Sequence, residues 1–189
     1  MALVQNASFT MSGGSIAGCT AETGGGISCS SNGNMIKMSG TALIRDCRSK
    51  DLGGGIWIYG ELYMTGNATI RGCIAGEPGN NMYIRGGGVL VNSTSTLVMS
   101  ESAVIEDCKA VNDADGYTAA GGGGVCVLNG ASLTMSGDTR ILNCSAERSG
   151  GLPSSYGGGV SAHTATQITL EGNARIDQGS APKAFQLPG

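Results

Sequence analysis

The sequence predicts an all-β chain: a single-stranded right-handed parallel β-helix of about six coils, with three short strands per coil. Three observations predict it. A motif of the form apolar-x-Met-Ser/Thr, followed by Ile three positions before Cys, recurs six times along the 189 residues. A second signature, three glycines and a β-branched residue, sits between successive copies. Apolar residues within each unit alternate one by one, and no stretch repeats them at three and four residues as a helix requires.

The first motif runs Phe9-x-Met11 to Ile16 and Cys19, and the next two run Ile36-x-Met38 to Ile44 and Cys47 and Leu62-x-Met64 to Ile70 and Cys73. The later copies are Leu97-x-Met99 to Ile105 and Cys108, Leu133-x-Met135 to Ile141 and Cys144, and Ile168-x-Leu170 to Ile176, where Gly179 stands for the cysteine. Successive Met or Leu anchors are 27, 26, 35, 36 and 35 residues apart. The glycine signatures begin at Gly24, Gly53, Gly86, Gly122 and Gly157. Most of the length variation falls between the cysteine and the glycines, so the longer units carry their inserts (75–85, 109–121 and 145–156) at that corner. A unit this short cannot bury a face alone and must stack on its neighbours. Six coils at the strand spacing give a rod on the order of 29 Å long.

With 40% hydrophobic, 4% aromatic and 13% charged residues, the interior must be filled by Ile, Val, Leu, Met, Ala and Cys, which suits a narrow layered core. A net charge of −3 with scattered Lys and Arg carries no footprint for nucleic acid. There is no run of about eighteen apolar residues to form a transmembrane segment. The opening residues 3–11 align with 127–135, which predicts an incomplete first coil. The β-helix then extends over 1–180, and 181–189, with two prolines and Phe185, is expected to be a C-terminal tail or cap over an edge that otherwise invites pairing.

The alternation of Gly-Gly-Gly-Ile/Val with Ile-x-x-Cys resembles the right-handed parallel β-helix repeats of bacterial surface adhesins, including the autotransporter passenger domains of chlamydial polymorphic membrane proteins. Those carry Gly-Gly-Ala-Ile/Leu/Val and Phe-x-x-Asn. Here the third glycine (Gly26, Gly55, Gly88, Gly124, Gly159) replaces Ala, and Ile and Cys replace Phe and Asn. The likeness covers about residues 3 to 180. It implies a secreted or cell-surface scaffold used for attachment, with a glycan or a host or cell-surface protein as partner.

Cys19, Cys47, Cys73, Cys108 and Cys144 share one motif position and should stack about 4.8 Å apart. That separation lies within disulfide range, but parallel side-chain directions oppose the required torsion, so a ladder of buried free thiols is expected. A line of thiols offers no tetrahedron, and the chain has one histidine, so no metal and no other cofactor is expected. Cys29 should point inward. Cys126 falls in the outward register and is the candidate accessible thiol, unless an insert covers it.

The strand after each glycine triplet turns alternate residues outward. These are Trp57 and Tyr59, Leu90 and Asn92, Cys126 and Leu128, and Ser161 and His163. Stacked, they form an apolar and aromatic stripe beside the inserts. Trp57, Tyr59, Leu90, Asn92, Leu128 and His163 are therefore the candidate binding residues. The alternative is that the inserts fold down and bury the stripe. Asp46 and Asp107 share the position before the cysteine, but Gly72 lies between them and the separation is about 10 Å, so no catalytic carboxylate pair is expected. The oxygen-rich segment 112–116 resembles only a fragment of a calcium loop. The expected function is noncatalytic binding through the insert-bearing face. The alternatives are a polysaccharide lyase or glycoside hydrolase, and a subunit that self-associates end to end through unpaired coil edges.

Overall fold

The computed structural model describes residues 1–79, 82–113, 119–148 and 155–181. Among the described residues the chain is all β, with no helix, and its strands form three sheets of ten, eight and six strands. Every strand pairing is parallel, and each pairing joins one repeat to the next. With no helix, no segment of the described residues is a helix long and apolar enough to cross a membrane.

The repeat anchors are the register of these sheets. In the ten-stranded sheet Phe9 pairs with Ile36, Ile36 with Leu62, Leu62 with Leu97, Leu97 with Leu133 and Leu133 with Ile168, while Met11 to Leu170 align two residues further on. The six-stranded sheet aligns Ile16, Ile44, Ile70, Ile105, Ile141 and Ile176. A one-residue slip would turn all these side chains outward, so burial of one face holds the register. The central members are fully buried in one continuous core with Val89, Val125, Cys73 and Cys108.

The arrangement differs from three short strands per unit in two respects. Ile27–Met38 and Ile56–Met64 are long strands that span both the residues after the glycines and the residues before the Met anchor. In the later repeats these separate into pairs such as Val89–Val91 and Thr96–Met99, where two consecutive left-handed residues intervene, Ser93 and Thr94, Asn129 and Gly130, Thr164 and Ala165, in place of the single positive-φ Gly33 or Gly60 of the long strands. The inserts also end in strands of their own. Ile84–Arg85, Ala120–Gly121 and Ser155–Tyr156 pair with one another, and Arg85 pairs with Leu52. Ala75, Ile84, Ala110, Ala120 and Ala146 form a second, small core beneath them.

The glycine triplets are fixed by packing. Gly54 N–H donates to Gly86 O at 2.9 Å, and Gly87 N–H to Gly122 O at 3.0 Å, so these backbones lie on top of one another. A Cβ on Gly87 would overlap the carbonyls of Gly123 and Lys109. The third glycine also lies against the next repeat, where a Cβ on Gly88 would fall 2.7 Å from Gly124 O, and it faces the core as well. A Cβ on Gly88 would sit 2.9 Å from Ile105 Cγ2 and 3.2 Å from Cys108 Sγ, and one on Gly55 would sit 3.0 Å from Ile70 Cγ2 and 3.3 Å from Cys73 Sγ. The Ile-x-x-Cys pair occupies the space that a methyl group at the third position would need.

Before each ladder cysteine the chain turns through a left-handed residue, at Gly18, Asp46, Gly72, Asp107 and Asn143. Gly, Asp and Asn are the residues that tolerate this conformation, which gives Asp46 and Asp107 a structural reason for their position. The exposed Asp46 pairs with its half-buried neighbour Arg45 at 2.6 Å. Of the expected tail 181–189, only Ala181 lies among the described residues.

Candidate functional site

The outward stripe is only partly a surface. Trp57, Tyr59, Asn92 and His163 are half-buried, whereas Leu90 and Cys126 are completely buried and Leu128 is 5% exposed. Leu90, Cys126 and Leu128 form a third apolar cluster, with Leu52 and Trp57 packed against it. Leu90 and Leu128 are therefore not available to a ligand, and Cys126 is not the accessible thiol. These residues cluster apart from the main core, and insert residues lie over that side. Tyr156, from the last insert, meets the His163 ring edge to face at a centroid distance of 6.0 Å. Trp57 and Tyr59 meet edge to face at 5.3 Å, and Asn92 Nδ2 donates to Tyr59 Oη at 2.7 Å.

Where the inserts meet the far end of the stripe there is a groove of about 690 Å³, lined by Tyr83, Arg85, Gly121, Tyr156, Ser161 and His163 together with small residues. Its origin is legible in the register. Arg85, Gly121 and Tyr156 are paired in turn across three adjacent strands, so a position that carries a long side chain on either side carries none in the middle. A Cβ on Gly121 would point at Ser161 Oγ, 3.2 Å away, which makes Ser161 the floor. Tyr83 and Tyr156 are 50% and 51% exposed, and the Arg85 guanidinium lies 4.6 Å over the Tyr83 ring. Stacked this way, one face of Arg85 is covered while its N–H edges remain usable.

Two polar atoms in the lining are buried with no hydrogen-bond partner, Ser161 Oγ and His163 Nε2. Unsatisfied groups of this kind are uncommon in folded proteins and call for an explanation. Burial, and then the charge of Arg85, hold the His163 imidazole below its usual range, so it is neutral at pH 7. Among the described residues the lining contains a single formally charged side chain, Arg85, and no carboxylate. Sequence reasoning missed Tyr83, Arg85, Gly121 and Tyr156 because they lie in the inserts, which read as loops. The available signal was their fixed place immediately before the glycine triplets, where Leu52, Arg85, Gly121 and Tyr156 align.

All seven cysteines are free, and among the ladder residues Cys47, Cys73, Cys108 and Cys144 are buried while Cys19 is half-buried. The Cys47, Cys73, Cys108 and Cys144 thiols each donate to the carbonyl two residues back, at 3.3, 3.4, 3.2 and 3.0 Å. Among the described residues no group of three or more His, Cys, Asp or Glu is placed to hold a metal ion. The segment 112–116 lies in part outside the described residues, and Asp113 accepts from Gly79 N–H at 3.0 Å.

Burial pushes the Cys29 thiol up to about 12. It pushes Cys126 up to about 11, against smaller opposing effects of Ser161 and Arg85. Native protein at pH 8 is therefore expected to react with a thiol reagent at Cys19 first. Cys19→Ser should remove that fast phase, and labelling of Cys126 before global unfolding would contradict the burial. A thiol whose folded pKa is raised stabilises the fold fully below its unfolded value of about 8.5, and that contribution is lost as pH rises through the folded value. Urea midpoints should thus fall between about pH 9 and 12. Cys29→Ala should flatten the fall, and an unchanged slope would remove Cys29 as a cause.

Comparison of the chain with protein-family models, with curated proteins and with solved structures gives no match.

Proposed function

We propose that the chain is a noncatalytic segment of an adhesin-like or structural surface protein, extracellular or cell-surface in location, which binds a glycan in the groove beside its inserts. The scaffold in this reading is a right-handed parallel β-helix whose three sheets are its faces. Its support is that successive repeats feed the same three sheets in the same order and register. Handedness follows the strong preference for right-handed crossovers between parallel strands.

One observation carries the function. An open groove of about 690 Å³ lies within the usual size range of small-ligand sites, and its walls are exposed tyrosines with unpartnered polar atoms at the floor. Aromatic faces pack on the C–H faces of sugar rings, while the polar atoms meet their hydroxyls. Among the described residues the lining has no carboxylate pair, which glycoside hydrolysis of the usual kind needs.

The test is a glycan array probed with the intact chain and with Gly121→Leu, which fills the gap between Arg85 and Tyr156. Saturable binding is expected from the parent chain and none from the variant, with the same circular dichroism for both. No binding to any glycan, or binding that Gly121→Leu leaves intact, would overturn the site. Cleavage of a bound polysaccharide would overturn its noncatalytic character.

A further inference from the structure

The charge in the groove narrows its ligand. The chain carries a net charge of −3, yet among the described residues the only formal charge in this lining is the Arg85 guanidinium. Among the described residues no Asp or Glu forms an ion pair with it, and its one contact of that strength is the stack on Tyr83. The Arg85 charge acts on both the His163 imidazole and the Cys126 thiol, which places the guanidinium beside both groups. An arginine held by a ring on one face, with its N–H edges unpaired, is prepared for a planar anion.

Ser161 adds a second, independent observation. It is 94% buried, being 6% exposed, and its Oγ, which has the weak Cys126 thiol beside it but no hydrogen bond of good geometry, lies at the groove floor opposite Gly121. A buried hydroxyl without a partner destabilises the free protein, and a ligand hydroxyl would relieve that. The His163 Nε2 beside it has the same need. The ligand then has an anionic group at one end, hydroxyls at the other, and an apolar face for Tyr83 or Tyr156.

We propose that the groove takes a carboxylate-bearing sugar residue of an acidic glycan, with the carboxylate on Arg85, ring hydroxyls on Ser161 and His163, and the ring against a tyrosine wall. This rests on the groove being a glycan site, and deepens that reading. An acidic peptide side chain supplies the carboxylate but no clustered hydroxyls for the two lone polar atoms, which favours the sugar.

The experiment measures binding of the intact chain to oligosaccharides of glucuronate, galacturonate and N-acetylneuraminate. Neutral oligosaccharides of the same length, sulfated ones and an oligoglutamate peptide serve as comparisons. At least one carboxylated sugar should bind more tightly than all of these. Arg85→Gln should weaken it by about 10- to 100-fold, the size of a charge-assisted hydrogen-bond loss, while neutral sugars change little. Ser161→Ala should weaken binding and change the stability of the fold little, since the one group its hydroxyl meets is the weakly bonding Cys126 thiol. A merely structural serine would show the opposite. Equal binding of neutral and carboxylated sugars, or insensitivity to Arg85→Gln, overturns the acidic ligand and leaves the glycan site standing. Tighter binding of the sulfated sugar or the peptide overturns the carboxylated sugar. No sugar binding at all overturns both readings.

Discussion

Gly87→Ala is expected to prevent the chain from folding. The added methyl group would overlap backbone carbonyls of Gly123 and Lys109, which are held by the ladder and have no side-chain rotamer through which to escape. Ordinary overpacking costs about 1–3 kcal/mol, and a clash with fixed backbone on two sides should exceed that range. Folded domains have only about 5–15 kcal/mol to lose. Gly13→Ala is the control. Its Cβ would find Thr41 Oγ1 at 3.5 Å, ordinary contact, so its stability should stay within about 0.5 kcal/mol of the parent. Soluble expression and urea unfolding of the two variants measure the contrast. A Gly87→Ala chain that unfolds at the parent's midpoint would show that the triplets do not lie on one another as described.

Ile105→Ala should have the second largest effect. Ile105 is fully buried, flanked in register by Ile70 and Ile141, and its Cγ2 lies against Gly88. Truncation leaves a cavity that glycine on the facing strand cannot fill, so a loss of about 2–5 kcal/mol is expected. Ile176, at the same motif position in the last repeat, is 36% exposed. Its truncation should cost less than about 2 kcal/mol. Stacked repeats need not unfold in one step, so the two losses should be compared by hydrogen exchange at the affected strands as well as by midpoint. Equal losses at the two positions would contradict the buried column.

Much of the scaffold was readable because its cause is local and repeated. Ile16 to Ile176 and Met11 to Leu170 mark the same step of each unit, and a parallel register follows when every copy buries the same face. The third glycine was visible as a departure from Gly-Gly-Ala, but its reason appeared only with the Ile Cγ2 and Cys Sγ atoms that face it. Leu90, Cys126 and Leu128 show the limit of a two-residue period. It tells which side of a strand a residue takes, and says nothing about whether another segment lies on that side. The insert strands do lie there, since Ile84, Ala120 and Ser155 pair with one another and bring Arg85, Gly121 and Tyr156 onto the stripe. Their pairing depends on two residues at the end of inserts of unequal length, too short a run for periodicity to register. The groove is thus a product of stacking, a missing side chain at Gly121 between two long ones, and no single repeat contains it.

The most direct measurement of the stacked register is an anomalous-scattering map of the sulfur atoms in crystals of the intact chain. Two parallel files are expected, one through Met11, Met38, Met64, Met99 and Met135 and one through Cys19, Cys47, Cys73, Cys108 and Cys144, each with steps of about 4.8 Å. Sulfur positions scattered off these two lines, or neighbours in the files separated by unrelated distances, would contradict the account.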